Sequence, residues 1–464
     1  MPPQSGEFLA RETLGGLIGD KGPIGGRGRV HSVIPVVNHL VTGVLPDLFL
    51  SDEEIAVRDE VRRFVAERVS SDLLQQMDRD EVVYPREFVA ELGEENLLGL
   101  RFPTELGGRA LSWRAEIAAL EEVGVLGTSL GCAFSMPSIV GEALWRFGTE
   151  DQKQKYMAPM LRGELISAEA LTEPRGGSDF FGATTRAELM DGTFTIRGQK
   201  RFVVGARGAD FFVVYCKTNP DGDSHNRLSL ILVEADRPGV EVGYLYQLMG
   251  TRGGGTGRVV FRDVQVPADN LIGELNGGAE IFDTMMVPER LTSAAASLGI
   301  ARAALEVAAR YSNRRRAFGE PIRRFQAVSF KVADAITALD AARALTLAAG
   351  AAADAGAGTT RRLVSEAKKH ATDTAWDVTN LAMQIMGGIG YTNVFPIERL
   401  VRDARLTQIW TGTNEIMSLL IQHEYYRELL GDTTRARQVE GDAAEAHAED
   451  ERVYEDDEMW IKGW

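Results

Sequence analysis

The sequence predicts an α+β multidomain protein in three parts: an N-terminal helical domain, a middle β domain closed as a barrel or sandwich, and a C-terminal four-helix bundle. Three observations carry that prediction. Residues 51–164 show apolar stripes at helical period; residues 165–276 change to short runs of β-branched and aromatic residues broken by Gly, Asp and Pro; residues 277–430 return to the helical period in long Ala-rich stretches. At 464 residues the chain is too long for one core, and 44% hydrophobic against 25% charged residues is the balance of a soluble globular protein.

Regular structure is expected to begin at Ser51, where Ser51 and Glu54 form a capping box ahead of the stripe Ile55, Val57, Val61, Phe64 and Val65. Helical patterns follow over 85–97, 113–123 and 138–147, and Thr149 with Gln152 makes a second capping box before a helix over 156–161. Strands are expected over 193–196, 202–204, 211–216, 228–234 and 259–266. The bundle helices are expected at about 279–314, 324–354, 360–386 and 404–430.

Both ends lie apart from this body. The N-terminal extension, residues 1–50, lacks the charged start and apolar stretch of a signal peptide, and its apolar segment Val33–Leu45 is too short and too interrupted by Pro35, Asn38 and His39 to span a membrane. The C-terminal tail, residues 431–464, is acidic, with ten Asp or Glu from residue 440 onward against Arg452 and Lys462. It is read as disordered, or docked through Trp460, Ile461 and Trp464. A net charge of −16 argues against nucleic acid as a partner. Two cysteines, Cys132 and Cys216, make neither a disulfide framework nor a metal cluster and fit a reducing, cytoplasmic setting.

Three motifs could carry chemistry. The stretch Ala170-Leu171-Thr172-Glu173-Pro174-Arg175-Gly176-Gly177-Ser178-Asp179-Phe180-Phe181-Gly182 pairs glycines, which let backbone N–H groups approach an anion, with the hydroxyls of Thr172 and Ser178. Taken alone it reads equally well as a polar loop. The Arg-rich stretch Tyr311 to Ile322, followed by Phe325-Gln326, offers a guanidinium fork suited to phosphate, or a helix end whose cations complement the dipole. Gln384-Ile385-Met386-Gly387-Gly388-Ile389-Gly390-Tyr391, with Arg399, Arg402 and Asp403 beyond it, contains a Gly-Gly-x-Gly turn that by itself could be a helix stop.

Together, in this order and at this spacing, the three motifs resemble the acyl-CoA dehydrogenase family over about residues 51–430; only Val394 departs from the acidic residue of the second signature. The resemblance implies FAD bound between the domains and across a subunit interface, usually in a homotetramer. It implies removal of the α-proton of an acyl-CoA thioester, transfer of the β-hydrogen as hydride to flavin N5, a trans-2-enoyl product, and electron-transferring flavoprotein as electron acceptor. On its pattern Thr172, Gly177, Ser178, Phe202, Val204, Arg315, Phe318, Gln326, Gln384, Gly387, Gly388, Thr413 and Glu415 would hold the cofactor, with Arg315 reaching the pyrophosphate of a neighbouring subunit. Ser178, Arg290, Thr411 and Gly412 would hold the thioester.

The chain departs from the family where the chemistry is set. Many members carry the catalytic glutamate directly before a Gly-Thr pair, and here that place is Thr411, too weak a base for the task. The isovaleryl-CoA and long-chain branches take the base from a Glu-Arg pair 26 residues before the pyrophosphate arginine; counting back from Arg315 gives Glu289 and Arg290. Glu289 is therefore expected to be the base. Pro288 beside it removes one helical hydrogen bond. Phe202-Val203-Val204-Gly205 stands where the family more often has Trp, Ile, Thr and Asn, so Val204 has no hydroxyl to offer flavin N5. Two other readings stay open: a flavin oxidase, monooxygenase or carrier-protein thioester dehydrogenase of the same fold, and a non-catalytic FAD-binding paralogue.

Overall fold

A computed structural model of the chain describes residues 44–431 and Asp442. The N-terminal extension through residue 43, with most of the Val33–Leu45 segment, and the tail with Trp460, Ile461 and Trp464 lie outside the described residues.

The N-terminal part is helical. A short helix α1 (Val44–Phe49) precedes α2 (Asp52–Arg68), whose start is the expected Ser51/Glu54 capping box. Then come α3 (Ser71–Asp78), α4 (Arg86–Glu94), α5 (Trp113–Gly124) and α6 (Thr128–Phe147). The Thr149/Gln152 capping box opens α7 (Glu150–Gln152), which passes through a π-turn into α8 (Ala158–Leu161). Helix α6 begins ten residues before the expected position, because Pro137 lies inside it and not at its start.

The middle part is one eight-stranded sheet: β1 (Ser167–Ala170), β2 (Arg186–Met190), β3 (Thr193–Val203), β4 (Phe211–Lys217), β5 (Leu228–Glu234), β6 (Val240–Leu245), β7 (Gly257–Pro267) and β8 (Leu271–Ile272). Its order is β6-β7-β3-β2-β4-β5-β8, with β1 parallel to β4. The runs expected at 193–196 and 202–204 are one strand, β3, whose pairing with β7 slips between Ile196 and Gly198 and again between Lys200 and Val203. Phe212, Val214 and Cys216 of β4 join Phe194, Ile196, Val259 and Phe261 in a core between strands. Phe211, Val213 and Tyr215 on its other face pack with α6, α8 and the next helix. A strand covered on both faces reads as the unbroken apolar run Phe211–Cys216.

The C-terminal part begins with α9 (Gly278–Arg314), which runs without interruption through Pro288. A small hairpin, β9 (Arg316–Ala317) and β10 (Glu320–Pro321), leads to α10 (Gln326–Asp354) and α11 (Thr360–Met386). The expected fourth bundle helix is two helices, α12 (Ile397–Thr407) and α13 (Asn414–Gly431). Thr411 at φ 50° and Gly412 at φ 86° are both left-handed, and two such residues in succession end a right-handed helix.

The two helical parts share one core, built from α2, α4, α5 and α6 on one side and α9, α10 and α11 on the other. Helices α5 and α9 meet backbone to backbone: a Cβ at Gly299 would lie 2.3 Å from the Glu121 carbonyl and 2.7 Å from the Gly124 backbone. Helices α9 and α10 are long and apolar enough to cross a membrane, but 78% of the apolar window of α9 is buried inside the protein, against 44% for α10. The apolar surface of α9 is used in the core, whereas α10 keeps an open face that includes Phe330 and Ile336.

Candidate active site

Glu289 lies on α9 where that helix passes strand β1. It is 9% exposed, and burial holds its carboxyl above the ordinary carboxylate range, with a hydrogen bond from Glu169 and the charge of Arg290 pulling the other way. Glu169 comes from the middle of β1. It is partly buried as a residue, but its Oε1 is shut off from solvent and has no hydrogen-bond partner among the described residues. Burial, then the Glu289 charge, hold it well above the ordinary range.

The next residue, Arg290, is buried, and desolvation followed by the charge of Arg361 pushes its guanidinium down to about 10. Its Nη1 donates to Ser365 Oγ of α11 at 3.2 Å, while its Nε is buried without a partner.

The turn between α12 and α13 is pinned close by. Trp410 Nε1 donates to Ser293 Oγ at 2.8 Å, one helical turn beyond Glu289, and Lys368 Nζ of α11 donates to the Gly412 carbonyl at 2.8 Å and to Asn414 Oδ1 at 2.9 Å. Burial pushes Lys368 down to about 7. Thr411 Oγ1 is buried with no partner, and among the described residues no group accepts from the Thr411 backbone N–H. Thr413 caps α13 through its Oγ1, which accepts from the Ile416 N–H at 3.3 Å. Exposed Glu415 hydrogen-bonds to Thr413, and its carboxyl lies below the usual range for its own backbone N–H and that hydroxyl.

Strand β1 runs directly into the loop of Thr172, Gly177 and Ser178. Glu173 fixes that loop: it accepts from Lys200 Nζ at 2.9 Å, from Thr184 N–H and Oγ at 2.6 Å and from Thr185 N–H at 2.9 Å. Burial would raise the Glu173 carboxyl, but Lys200 and Thr184 outweigh it and bring it to about 2. With Glu173 holding the loop inside, Gly177 and Ser178 stand exposed and Thr172 half-buried. Two residues past Lys200, Phe202 sits at φ 54°, 52% exposed, its ring 4.7 Å from that of Tyr246. Val204 is half-buried beside it.

The remaining expected residues lie elsewhere. Arg315 is at the far end of α9 from Glu289, and 26 helical residues at 1.5 Å each put the two about 39 Å apart. Phe318, 95% exposed, and exposed Gln326 share the Arg315 end. Gln384, Gly387 and Gly388 close α11 at the same end, where Tyr311 of α9 meets Phe395 with ring centroids 5.8 Å apart. The structure thus divides the predicted residues into a base end, with Glu289, Arg290, Thr411, Gly412 and Thr413 beside the Thr172 loop and Phe202, and a remote end around Arg315.

Sequence reasoning missed Glu169, Lys368, Ser293 and Tyr246. The only local signal for Glu169 was an acidic residue inside the small-residue strand Ser167–Ala170. For Lys368 and Ser293 there was none, since their roles depend on which helices meet.

Family models for the acyl-CoA dehydrogenase N-terminal, middle and C-terminal domains match residues 51–164, 168–264 and 276–426. An acyl-CoA dehydrogenase of Bacillus subtilis (strain 168) is 34% identical over 83% of this chain and 100% of its own length. The structure of butyryl-CoA dehydrogenase from Megasphaera elsdenii superposes with a TM-score of 0.78 at 32% identity, covering 82% of this chain and 99% of that one. A chain in a structure of the electron transferring flavoprotein of Acidaminococcus fermentans gives a TM-score of 0.77 at 32% identity, over 82% and 99%.

Proposed function

The chain belongs to the acyl-CoA dehydrogenase family, whose members are FAD-dependent oxidoreductases acting on CH–CH groups, and from that premise we propose that it oxidises an acyl-CoA to the trans-2-enoyl-CoA with Glu289 as the base. The observation that carries this reading is Glu289 itself: a buried carboxylate of raised basicity opposite the pinned Trp410–Gly412 turn, with a hydroxyl, Thr411, at the other place a base could stand.

The residues fit FAD and a thioester. Thr411 Oγ1 and Arg290 Nε are buried polar atoms awaiting partners, Phe202 and Tyr246 present aromatic surface, and a Cβ at Gly387 or Gly388 would meet nothing within 4 Å, leaving their backbone open to a ligand. FAD, when bound, supplies the hydride acceptor. The chain's own part is to bind and to move a proton. Glu289 takes the α-proton, and its desolvation makes it a stronger base than an exposed carboxylate. The Thr411 N–H, held in place by Trp410 and Lys368, is the donor assigned to the thioester carbonyl, where negative charge grows as the proton leaves. Arg290 would hold the thioester, and the Thr172–Ser178 loop would hold the cofactor.

The remote residues serve a neighbour. About 39 Å of helix separates Arg315 from Glu289, so Arg315, Phe318, Gln326, Gln384, Gly387 and Gly388 are assigned to the cofactor of a second subunit in a homotetramer. The open face of α10 and the exposure of Phe318, Tyr391 and Val394 support that assembly. Arg315→Ala should then lose FAD and weaken the oligomer together, and a stable FAD-saturated monomer would overturn it. Electron-transferring flavoprotein is proposed as electron acceptor, and the free Cys132 and Cys216 support a reducing cytoplasm.

The experiment for the base is anaerobic single-turnover reduction of the flavin by a panel of straight, branched and aromatic acyl-CoAs, in the parent and in Glu289→Gln. Retained FAD with lost reduction supports the assignment; reduction at the parent rate sinks it. One observation favours the oxidase reading: Val204 offers no side-chain hydrogen bond to the flavin. Fast reaction of the reduced, thioester-bound enzyme with oxygen would select it.

A further inference from the structure

Resting on Glu289 as the base, we propose that Glu169 is its positioning partner: a protonated carboxyl on β1 that donates its O–H to the Glu289 carboxylate, so that the two side chains hold one proton between them in the resting enzyme. Nothing in the family motifs marks this residue. It stands three positions before Thr172, on a strand whose other members are Ser167, Ala168 and Ala170.

The geometry leaves little else for the pair to do. Glu169 Oε1 is cut off from solvent with no hydrogen-bond partner among the described residues, and the Glu169 and Glu289 carboxyls lie within reach of each other. Two carboxylates in contact in a dry site cannot both ionise, so one keeps its proton. Among the described residues neither neighbouring cation bonds to the pair, although the Arg290 charge acts on Glu289. Lys200 of β3 donates to Glu173 Oε1 at 2.9 Å and to the Leu171 carbonyl at 3.1 Å, and Arg290 donates to Ser365.

Two other titratable groups beside the pair, Tyr215 and Cys132, are held neutral. Tyr215 of β4 donates its hydroxyl to Met285 Sδ at 3.2 Å, with burial and then the two carboxyls holding its pKa up. Cys132 of α6 is kept a thiol by burial and then by Glu289. Asp283, a turn and a half before Glu289 on α9, acts on Tyr215 and Arg290. Burial raises both carboxyls, and for Glu289 to act as the base it must be the ionised member of the pair, which puts the shared proton on Glu169.

This arrangement has a chemical consequence. A desolvated Glu289 without a donor would stay protonated and could not act as a base; the Glu169 O–H keeps it ionised and aimed. When the α-proton leaves, the C–H electron pair stays with the thioester and the proton forms a second O–H bond in the pair. The pair passes from one proton to two and from a charge of −1 to neutral.

The test compares parent, Glu169→Gln and Glu169→Leu holoenzymes, with FAD content as the folding control. Gln can still donate a hydrogen bond but cannot titrate; Leu can do neither. In difference infrared spectra at neutral pH, Glu169→Gln should lose the C=O stretch of a protonated carboxyl that the parent shows. In pH profiles of single-turnover flavin reduction, Glu169→Gln should keep the parent's acidic limb, while Glu169→Leu should move it up by about one pH unit, a rate loss of about tenfold on that limb. A merely structural Glu169 would lower both variants alike at every pH and leave the limb where it is. Persistence of the protonated-carboxyl band in Glu169→Gln, or a Leu variant whose limb coincides with the parent's, would overturn the proposal. Should Glu169→Leu fail to fold, the infrared comparison with Glu169→Gln decides alone. If Glu289→Gln still reduces flavin, the base assignment fails; if Glu289→Gln is inactive while the Glu169 variants behave as the parent, only the pairing fails.

Discussion

Among the acidic side chains that this molecule buries on α-helices, Glu121 and Glu122 of α5 and Glu289 of α9 are treated in opposite ways. On α5, Glu121 receives two bonds from Arg343, at 3.0 and 2.8 Å, and Glu122 is held by Arg302 at 2.7 and 2.8 Å and by Arg62 at 2.8 Å. Burial would raise Glu121, but Arg343 and Arg302 outweigh it and bring the carboxyl to about 2. On α9, Glu289 is equally buried, yet another acid, Glu169, stands beside it, and both carboxyls are raised. Burial is common to the two sites; the committed cation is not. Where cations match, the charges are fixed and hold α5 to α9 and α10. Where they are withheld, a carboxylate stays basic enough to take a proton.

The largest effect that sharpens this contrast is on activity. Glu289→Gln keeps size and most hydrogen bonding, so FAD binding and thermal midpoint should hold while flavin reduction falls roughly 100-fold to 10,000-fold. Stopped-flow reduction alongside a melting curve checks both halves.

The mirror experiment falls on the paired site. Arg343→Leu leaves Glu121 buried with only the longer Arg302 contact at 3.6 Å, and breaking a buried pair in this way costs about 3 to 5 kcal/mol of stability. Denaturation should report that loss, and the rate of flavin reduction per bound FAD should stay near the parent's. An Arg343→Leu enzyme of parent stability but altered rate would erase the distinction between the two sites.

Titration separates them by sign. Glu121 is depressed from 4.5 to about 2, so its contribution to stability is present above pH 4.5 and is lost as pH falls toward 2. Glu169 and Glu289 are raised above 4.5, so the stability they leave intact below pH 4.5 is lost as pH rises through their folded values. Melting curves of Glu169→Gln against the parent should therefore coincide below about pH 4 and separate above it in favour of the variant. The reverse order would mean that the pair carries a cation after all.

The smallest effect is expected at the alternative base position. Thr411→Ala removes only an unpartnered hydroxyl and keeps the backbone N–H, so reduction should stay within about threefold of the parent. A large loss would move chemistry from the backbone to the side chain.

Much of the architecture was legible along the chain because its signals are local. Both capping boxes start the helices where Ser51 and Thr149 place them, and the long helices α9, α10 and α11 lie within two residues of the expected bounds. The weak elements were not legible. β1 is four residues without a β-branched side chain, and β6 lies at one end of the sheet's strand order with much of it exposed. The break between α12 and α13 was hidden because Thr411 gives no warning that its backbone will be left-handed. That turn is enforced from outside, by Lys368 and Ser293.

By itself the sequence determined the order of helices, strands and helices, the three motifs, the Thr at 411 and the fixed interval from Glu289 to Arg315. Periodicity, capping and motif spacing are properties of neighbours in the chain. Tertiary structure alone decided which end of α9 the motifs share, which cations reach Glu121 and which fail to reach Glu289, and that Glu169, 120 residues earlier, meets Glu289. Proton affinity depends on desolvation and on charges a few ångströms away, and those are set by packing between segments distant in sequence.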